Sequence, residues 1–304
     1  MNFLELNMDF LRLLADFRTP ALDTIFQSIT WMAEETFVIL VICWLYWCHD
    51  KALAYTLSFT YFLSGLLVQG MKLLFQIPRP WVLDPNFQPV KSAIAGAGGF
   101  SFPSGHTQSG TALFSTLGFK LKKNWMKALC FIAIFFIGFS RMYLGVHTPQ
   151  DVVVSWVLTL ILSYFVTFHL QNKIIKPENA KYFSIFLFAL CAILTIYSTY
   201  FYFAVPEHAN MAKSALKACG AGFGFSIGFY LERSKINFEL PTTWKEKILR
   251  FIIGAVSVVI LLGVFDATIK KFLVGRVLSY LLLIVWVMAG YPYVFSKFNK
   301  KAKQ

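Results

Sequence analysis

Residues 126–165, MKALCFIAIFFIGFSRMYLGVHTPQDVVVSWVLTLILSYF, hold two long apolar runs separated by a short segment that contains Arg141, His147 and Asp151. A helical membrane span takes roughly 20 apolar residues, so spans are expected over 126–146 and 149–170, with a turn at Gly145 between them. Ionisable side chains at the ends of such spans are costly in lipid and need a reason to be there.

The rest of the chain repeats this pattern. Hydrophobic residues make up 57% of the 304 positions and charged residues only 14%, with a mean hydropathy of +0.61, which excludes a soluble domain. Further spans are expected over 29–48, 52–76, 104–119, 182–203, 210–230, 248–266 and 273–295. The one over 104–119 is short and needs Lys120 and Lys122 to reach the interface. The expected fold is therefore all-α, a polytopic membrane helix bundle. Residues 1–28 lack the basic start of a signal peptide. Phe3, Leu6, Phe10, Leu14 and Phe17 recur at helical spacing, as in an amphipathic segment lying in the interface. The five cysteines, Cys43, Cys48, Cys130, Cys191 and Cys219, fall in or at the ends of spans as small apolar fillers. Gly220, Gly224 and Gly228 form a ridge of small residues on which another helix of the chain can pack closely.

The net charge of +13 is dispersed over short loops, which argues against nucleic acid as a partner. Orientation explains it better. With the N-terminus outside, nine spans put 17 of the 28 Lys and Arg residues inside and 11 outside, in line with the positive-inside rule. Lys270, Lys271 and Arg276 fall outside and weaken the bias at the last hairpin. This orientation places the polar clusters on the extracytoplasmic face of a plasma-membrane protein whose C-terminus is cytoplasmic. Glu34 and Glu35 sit where the first span is expected to begin.

Three clusters share that face: Lys72-x6-Arg79-Pro80, Pro103-Ser104-Gly105-His106, and Ser140-Arg141-x5-His147-x3-Asp151. Pro78 and Pro80 end the helix that carries Lys72 and turn Arg79 out of it. A guanidinium fixed between prolines suits phosphate oxygens, whereas Lys72 alone could simply snorkel. Ser104 reads as a helix cap, and the amides of Gly105, His106 and Thr107 form an anion-binding helix start. Gly105 also allows close backbone approach. Thr148 and Pro149 read as a second cap and first-turn residue. Asp151 can favour the helix dipole, accept a hydrogen bond from His147, or do both. If it accepts the Nδ1 proton, Nε2 of His147 is left free to attack. The long outer loop over 81–102, rich in glycine and aromatics, either covers the site or merely connects two spans.

At these positions the chain resembles the type 2 phosphatidic acid phosphatase family, which shares its site with bacterial acid phosphatases and vanadium haloperoxidases. The resemblance covers roughly 50–170 and, more loosely, a six-helix core ending near 203. It implies that His147 is the nucleophile of a phosphohistidine mechanism, Asp151 its orienting partner and His106 the general acid. Lys72, Arg79, Ser104, Gly105 and Arg141 would bind the phosphoryl oxygens. It implies no metal and no other cofactor, and three cations can supply the charge that metals supply elsewhere. The expected organisation is an interfacial segment over 1–28, a phosphatase core over 29–205, and about three additional transmembrane helices over 206–304. The expected partners are the bilayer and a lipid phosphate or diphosphate. Transfer to a lipid acceptor, and binding or transport of an anionic lipid without chemistry, are the alternatives. The extra spans and Arg79-Pro80-Trp81-Val82-Leu83-Asp84 also resemble the glucose-6-phosphatase branch, which acts on a sugar phosphate.

Overall fold

A computed structural model describes residues 3–269 and 272–302, and among these the regular elements are all helical. Lys270, Lys271 and Lys303, which enter the charge balance, lie outside the described residues. The main helices in chain order are α1 (Phe3–Asp16), α2 (Pro20–Trp31), α3 (Glu35–Trp44), α4 (Lys51–Phe75), α5 (Gly105–Lys120), α6 (Asn124–Tyr143), α7 (Pro149–Phe165), α8 (Ala180–Ala204), α9 (Ala209–Leu231), α10 (Trp244–Ala267), α11 (Leu273–Val285) and α12 (Tyr291–Ala302). Six segments are long and apolar enough to cross a membrane: Lys51–Leu83, Asn124–Tyr143, Pro149–Ile174, Pro177–Ala204, Trp244–Ala267 and Leu273–Lys297. The chain is an integral membrane protein.

The N-terminal segment departs from expectation. The stretch expected to lie flat over 1–28 is two helices, because Thr19 caps a new one and Pro20 occupies its first turn. The span expected over 29–48 is correspondingly a bent pair, Pro20–Trp31 and Glu35–His49, which meet at 42°. The second arm begins at Glu35, so the acidic pair marks the break. Helix α1 has two apolar faces. Leu6, Phe10, Leu13 and Phe17 point outward, whereas Met8 and Leu11 are buried against Phe87, Met142 and Val152.

The chain divides into two compact units, residues 1–39 with 59–167, and 40–58 with 168–304. In the first, α5 and α6 pack closely: a methyl at Gly110 would come within 2.8 Å of Ile137. Gly138 of α6 leaves room for the Trp156 indole of α7, whose Nε1 donates to Ile134 O at 3.2 Å. In the second, the glycine ridge of α9 meets α11 as the sequence suggests. A Cβ at Gly220 would come within 2.4 Å of Val277 O, and one at Gly224 within 2.5 Å of Leu281 O. That unit also encloses Glu232, which pairs with Lys51 at 2.5 Å and accepts from the Tyr55 hydroxyl. Burying that carboxylate is tolerable because two donors meet it.

Candidate active site

All eight residues singled out from the sequence lie in the first unit. Local chain chemistry places each of them. Gln76, with φ 50, turns the chain out of α4 just after Lys72. Arg79 is extended and precedes the single helical turn Pro80–Leu83, so its side chain is free of the α4 face. Ser104 caps α5, accepting from the Thr107 amide at 3.4 Å and the Thr107 hydroxyl at 2.8 Å. Thr148 and Asp151 form the expected cap of α7 as a reciprocal capping box. Gly145, with φ +75, makes the turn between α6 and His147.

The outer loop is more than a connector. Val90 donates its amide to Leu144 O at 3.0 Å, and Ala93 and Ala97 pack under Tyr143, Leu144 and Val146. The cations of the first cluster fasten the far end of the loop. Arg79 Nε donates to Gly99 O at 2.8 Å and Nη2 to Gly98 O at 3.1 Å, while Lys72 Nζ donates to Phe100 O at 2.7 Å. The loop thus folds over the turn that carries His147.

Arg79 Nη1 reaches across to that turn, donating to Val146 O at 2.8 Å and lying 2.8 Å from His147 Nε2 and 3.4 Å from Nδ1. Of the two ring nitrogens, Nε2 is the nearer to this donor. The ring's Nδ1 also lies 3.4 Å from Asp151 Oδ2 and 3.4 Å from Ser101 Oγ. An ionised carboxylate only accepts, so the single proton of a neutral imidazole belongs on Nδ1 and the lone pair on Nε2. Burial, followed by the charges of Arg79, Lys72 and Arg141, holds the His147 pKa well below the ordinary histidine range.

Arg141 donates from Nη1 to Thr30 Oγ1 at 3.0 Å, while its buried Nε and Nη2 have no hydrogen-bond partner among the described residues. A buried guanidinium with two idle nitrogens is an expensive arrangement, and an oxyanion of phosphate size would satisfy it. His106 lies within electrostatic range of Arg141, Arg79 and Lys72. It and Gly105 are the partly exposed members of the eight, the other six being buried. A Cβ placed on Gly105 would meet nothing within 4 Å, so open space lies above the start of α5. Among the described residues no three His, Cys, Asp or Glu side chains come together as a metal-binding group.

The sequence did not disclose two contributors. Ser101 is fully buried and its Oγ donates to Asp151 Oδ2 at 2.5 Å. Thr30 is fully buried in α2 and faces Arg141. Only the position of Ser101, three residues before Ser104, hinted at a role, and nothing in the sequence marked Thr30.

Fold and site together define a helical membrane protein that gathers three cations, a capped helix start and two histidines in one compact unit. The chain belongs to the PAP2 superfamily. Residues 53–176 match the PAP2 superfamily, and residues 216–304 match its "PAP2 superfamily phosphatase, transmembrane extension", together well over half of the chain. A probable sphingosine-1-phosphate phosphatase of Dictyostelium discoideum is 26% identical over 71% of this chain and 55% of its own length. Phosphatidylglycerophosphatase B of Bacillus subtilis is 29% identical over 33% of this chain and 54% of its own length. The chain spans little more than half the length of these curated relatives. The crystal structure of Aquifex aeolicus LpxE aligns with 53% of this chain and 94% of its own, at 28% identity and a TM-score of 0.47. The transmembrane extension, matched over residues 216–304, takes in most of α9 and the helices that follow it.

Proposed function

We propose that the protein hydrolyses lipid phosphates or diphosphates in two steps through a phosphohistidine on His147. The observation that carries this reading is the 2.8 Å approach of Arg79 to His147 Nε2, with Nδ1 turned towards Asp151. A phosphoryl oxygen that takes the place of His147 Nε2 on Arg79 Nη1 brings phosphorus against the nitrogen that holds the lone pair.

In the first step the Nε2 lone pair forms the N–P bond while the P–O bond to the leaving group breaks. The departing oxygen takes its proton from His106. Lys72, Arg79 and Arg141, with the amides at the start of α5, balance the charge on the equatorial oxygens. In the second step water attacks phosphorus and gives its proton to His106. The N–P electrons return to Nε2, and inorganic phosphate leaves. Asp151 steadies the imidazole while it carries positive charge.

A lipid substrate is supported by the membrane setting and by the names of the relatives, a probable sphingosine-1-phosphate phosphatase and a phosphatidylglycerophosphatase. Counted over the nine spans expected from the sequence, which include 104–119 and 210–230 beyond the segments that meet the length and hydropathy of a span, the division of Lys and Arg, 17 against 11, supports a site on the extracytoplasmic face of the plasma membrane and a cytoplasmic C-terminus. In this reading residues 29–205 form the catalytic core, with 1–28 in front of it and 206–304 behind.

Phosphate release from sphingosine 1-phosphate, phosphatidate, phosphatidylglycerol phosphate, polyprenyl diphosphate and glucose 6-phosphate tests the reading. The lipid substrates are expected to turn over, and His147→Ala is expected to abolish turnover and the acid-labile phosphoenzyme. A preference for glucose 6-phosphate overturns the substrate class, and undiminished turnover in His147→Ala overturns the mechanism.

A further inference from the structure

We propose that Ser101 is a positioning residue for the nucleophile: its hydroxyl fixes the Asp151 carboxylate and, through it, the ring of His147. This rests on the phosphohistidine reading above and adds a residue that the three clusters do not contain.

The geometry is specific. Ser101 Oγ lies 2.5 Å from Asp151 Oδ2 and 3.4 Å from His147 Nδ1, and Oδ2 itself lies 3.4 Å from Nδ1. Oδ2 also accepts the Thr148 amide at 2.8 Å. The carboxylate oxygen that orients the histidine is therefore held by two short bonds, one from the backbone and one from Ser101. Its contact with the imidazole is the long one. At 3.4 Å an N–H···O contact lies beyond the range of a strong charge-assisted bond, so the ring's orientation depends on how firmly the carboxylate is held.

Ser101 is itself well anchored. Its amide donates to Ile77 O at 2.7 Å, and its carbonyl lies 3.4 Å from Lys72 Nζ. It is fully buried, so water cannot take the place of its hydroxyl. One residue thereby joins the Lys72–Arg79 segment, the outer loop and the His147–Asp151 pair. A serine present only for packing would have no reason to place its hydroxyl on the carboxylate that faces His147.

The direction of the effect follows from charge. A hydroxyl that donates to Oδ2 disperses its negative charge and keeps the carboxylate from closing on Nδ1. Without that donor, Asp151 is more basic and free to approach the ring, which favours the protonated imidazole. The other groups facing His147 are Arg79, Lys72, Arg141 and His106, and they are unchanged by the substitution.

Ser101→Ala in the full-length, detergent-purified protein is expected to lower kcat by about 10- to 100-fold, the worth of one hydrogen bond to a charged group, with KM little changed. The acid limb of kcat/KM is expected to move to higher pH. Ser101→Thr, which keeps the hydroxyl, should return the limb to its wild-type position. Ser101→Cys, close in volume with a weak donor, should show the same upward shift if the alanine variant proves unstable. A wild-type kcat, or a slower enzyme whose acid limb stays in place, overturns the proposal. His147→Ala is run in parallel: retained turnover there means that the phosphohistidine reading has failed, whereas its loss alongside an unmoved Ser101→Ala limb means that only the role of Ser101 has failed.

Discussion

Arg79→Lys keeps the charge of the first cluster and removes its shape, which makes it the most informative single substitution in the site. Three nitrogens of Arg79 serve Gly99 O at 2.8 Å, Gly98 O at 3.1 Å, Val146 O at 2.8 Å and His147 Nε2 at 2.8 Å. A phosphoryl group needs to displace only the last of these, because the others hold the fork in place from the loop side and the turn side together. A lysine ammonium is a single point and cannot span both. At least two bonds from a charged donor are lost, each worth about 1.5–3 kcal/mol, so the deficit is about 3–6 kcal/mol. At roughly 1.4 kcal/mol per decade, kcat/KM should fall by about 10²- to 10⁴-fold. The assay is phosphate release from a lipid monophosphate in mixed micelles, with orthovanadate inhibition measured beside it as a probe of oxyanion binding. Both should weaken together. An Arg79→Lys enzyme within about threefold of wild type, well inside a single decade, refutes the need for a guanidinium that spans loop and turn, since charge alone would then suffice.

Two further expectations concern other parts of the molecule. If His147 attacks as proposed, it does so in its unprotonated form, and burial with the neighbouring cations lowers its pKa, so the acid limb should lie below the ordinary histidine value of about 6.5. Rates of phosphoenzyme formation in single turnovers measure this without contributions from product release, and a limb at or above that value contradicts the electrostatics described. Gly224→Val drives a side chain towards Leu281 O, which a Cβ would already approach to 2.5 Å, and overpacking of this kind costs about 1–3 kcal/mol. The melting temperature in detergent should fall while kcat per folded molecule holds, and an unchanged melting temperature means that α9 and α11 do not pack as closely as described.

What the sequence disclosed and what it hid follow from the same rule. Lys72, Arg79, Arg141, His147 and Asp151 were legible because charge and histidine beside lipid are rare enough to require a purpose. Ser101 and Thr30 carry no such mark. Hydroxyls in helical membrane proteins commonly bond their own backbone, as Ser64 does to Thr60 O at 2.6 Å, and only tertiary contacts separate the two kinds. The glycine ridge of α9 was readable because close helix approach needs small residues at that spacing. Helix α1 was half readable. Its outward apolar face has the regular spacing of an interfacial helix, but Met8 and Leu11 are buried by Phe87, a residue some eighty positions away on a loop of undefined course. The break before Glu35 was obscured because the apolar character of the segment continues from α2 into α3.

The partial exposure of Gly105 and His106, with the other six site residues buried, has a consequence for the order of events. On the phosphohistidine reading, the partly exposed histidine of the site is also the proposed general acid, so a leaving alcohol and the acceptor that follows it would both meet His106. The acceptor would then take its place only after the alcohol has gone, and hydrolysis and transfer to a second lipid would differ only in which molecule occupies that place.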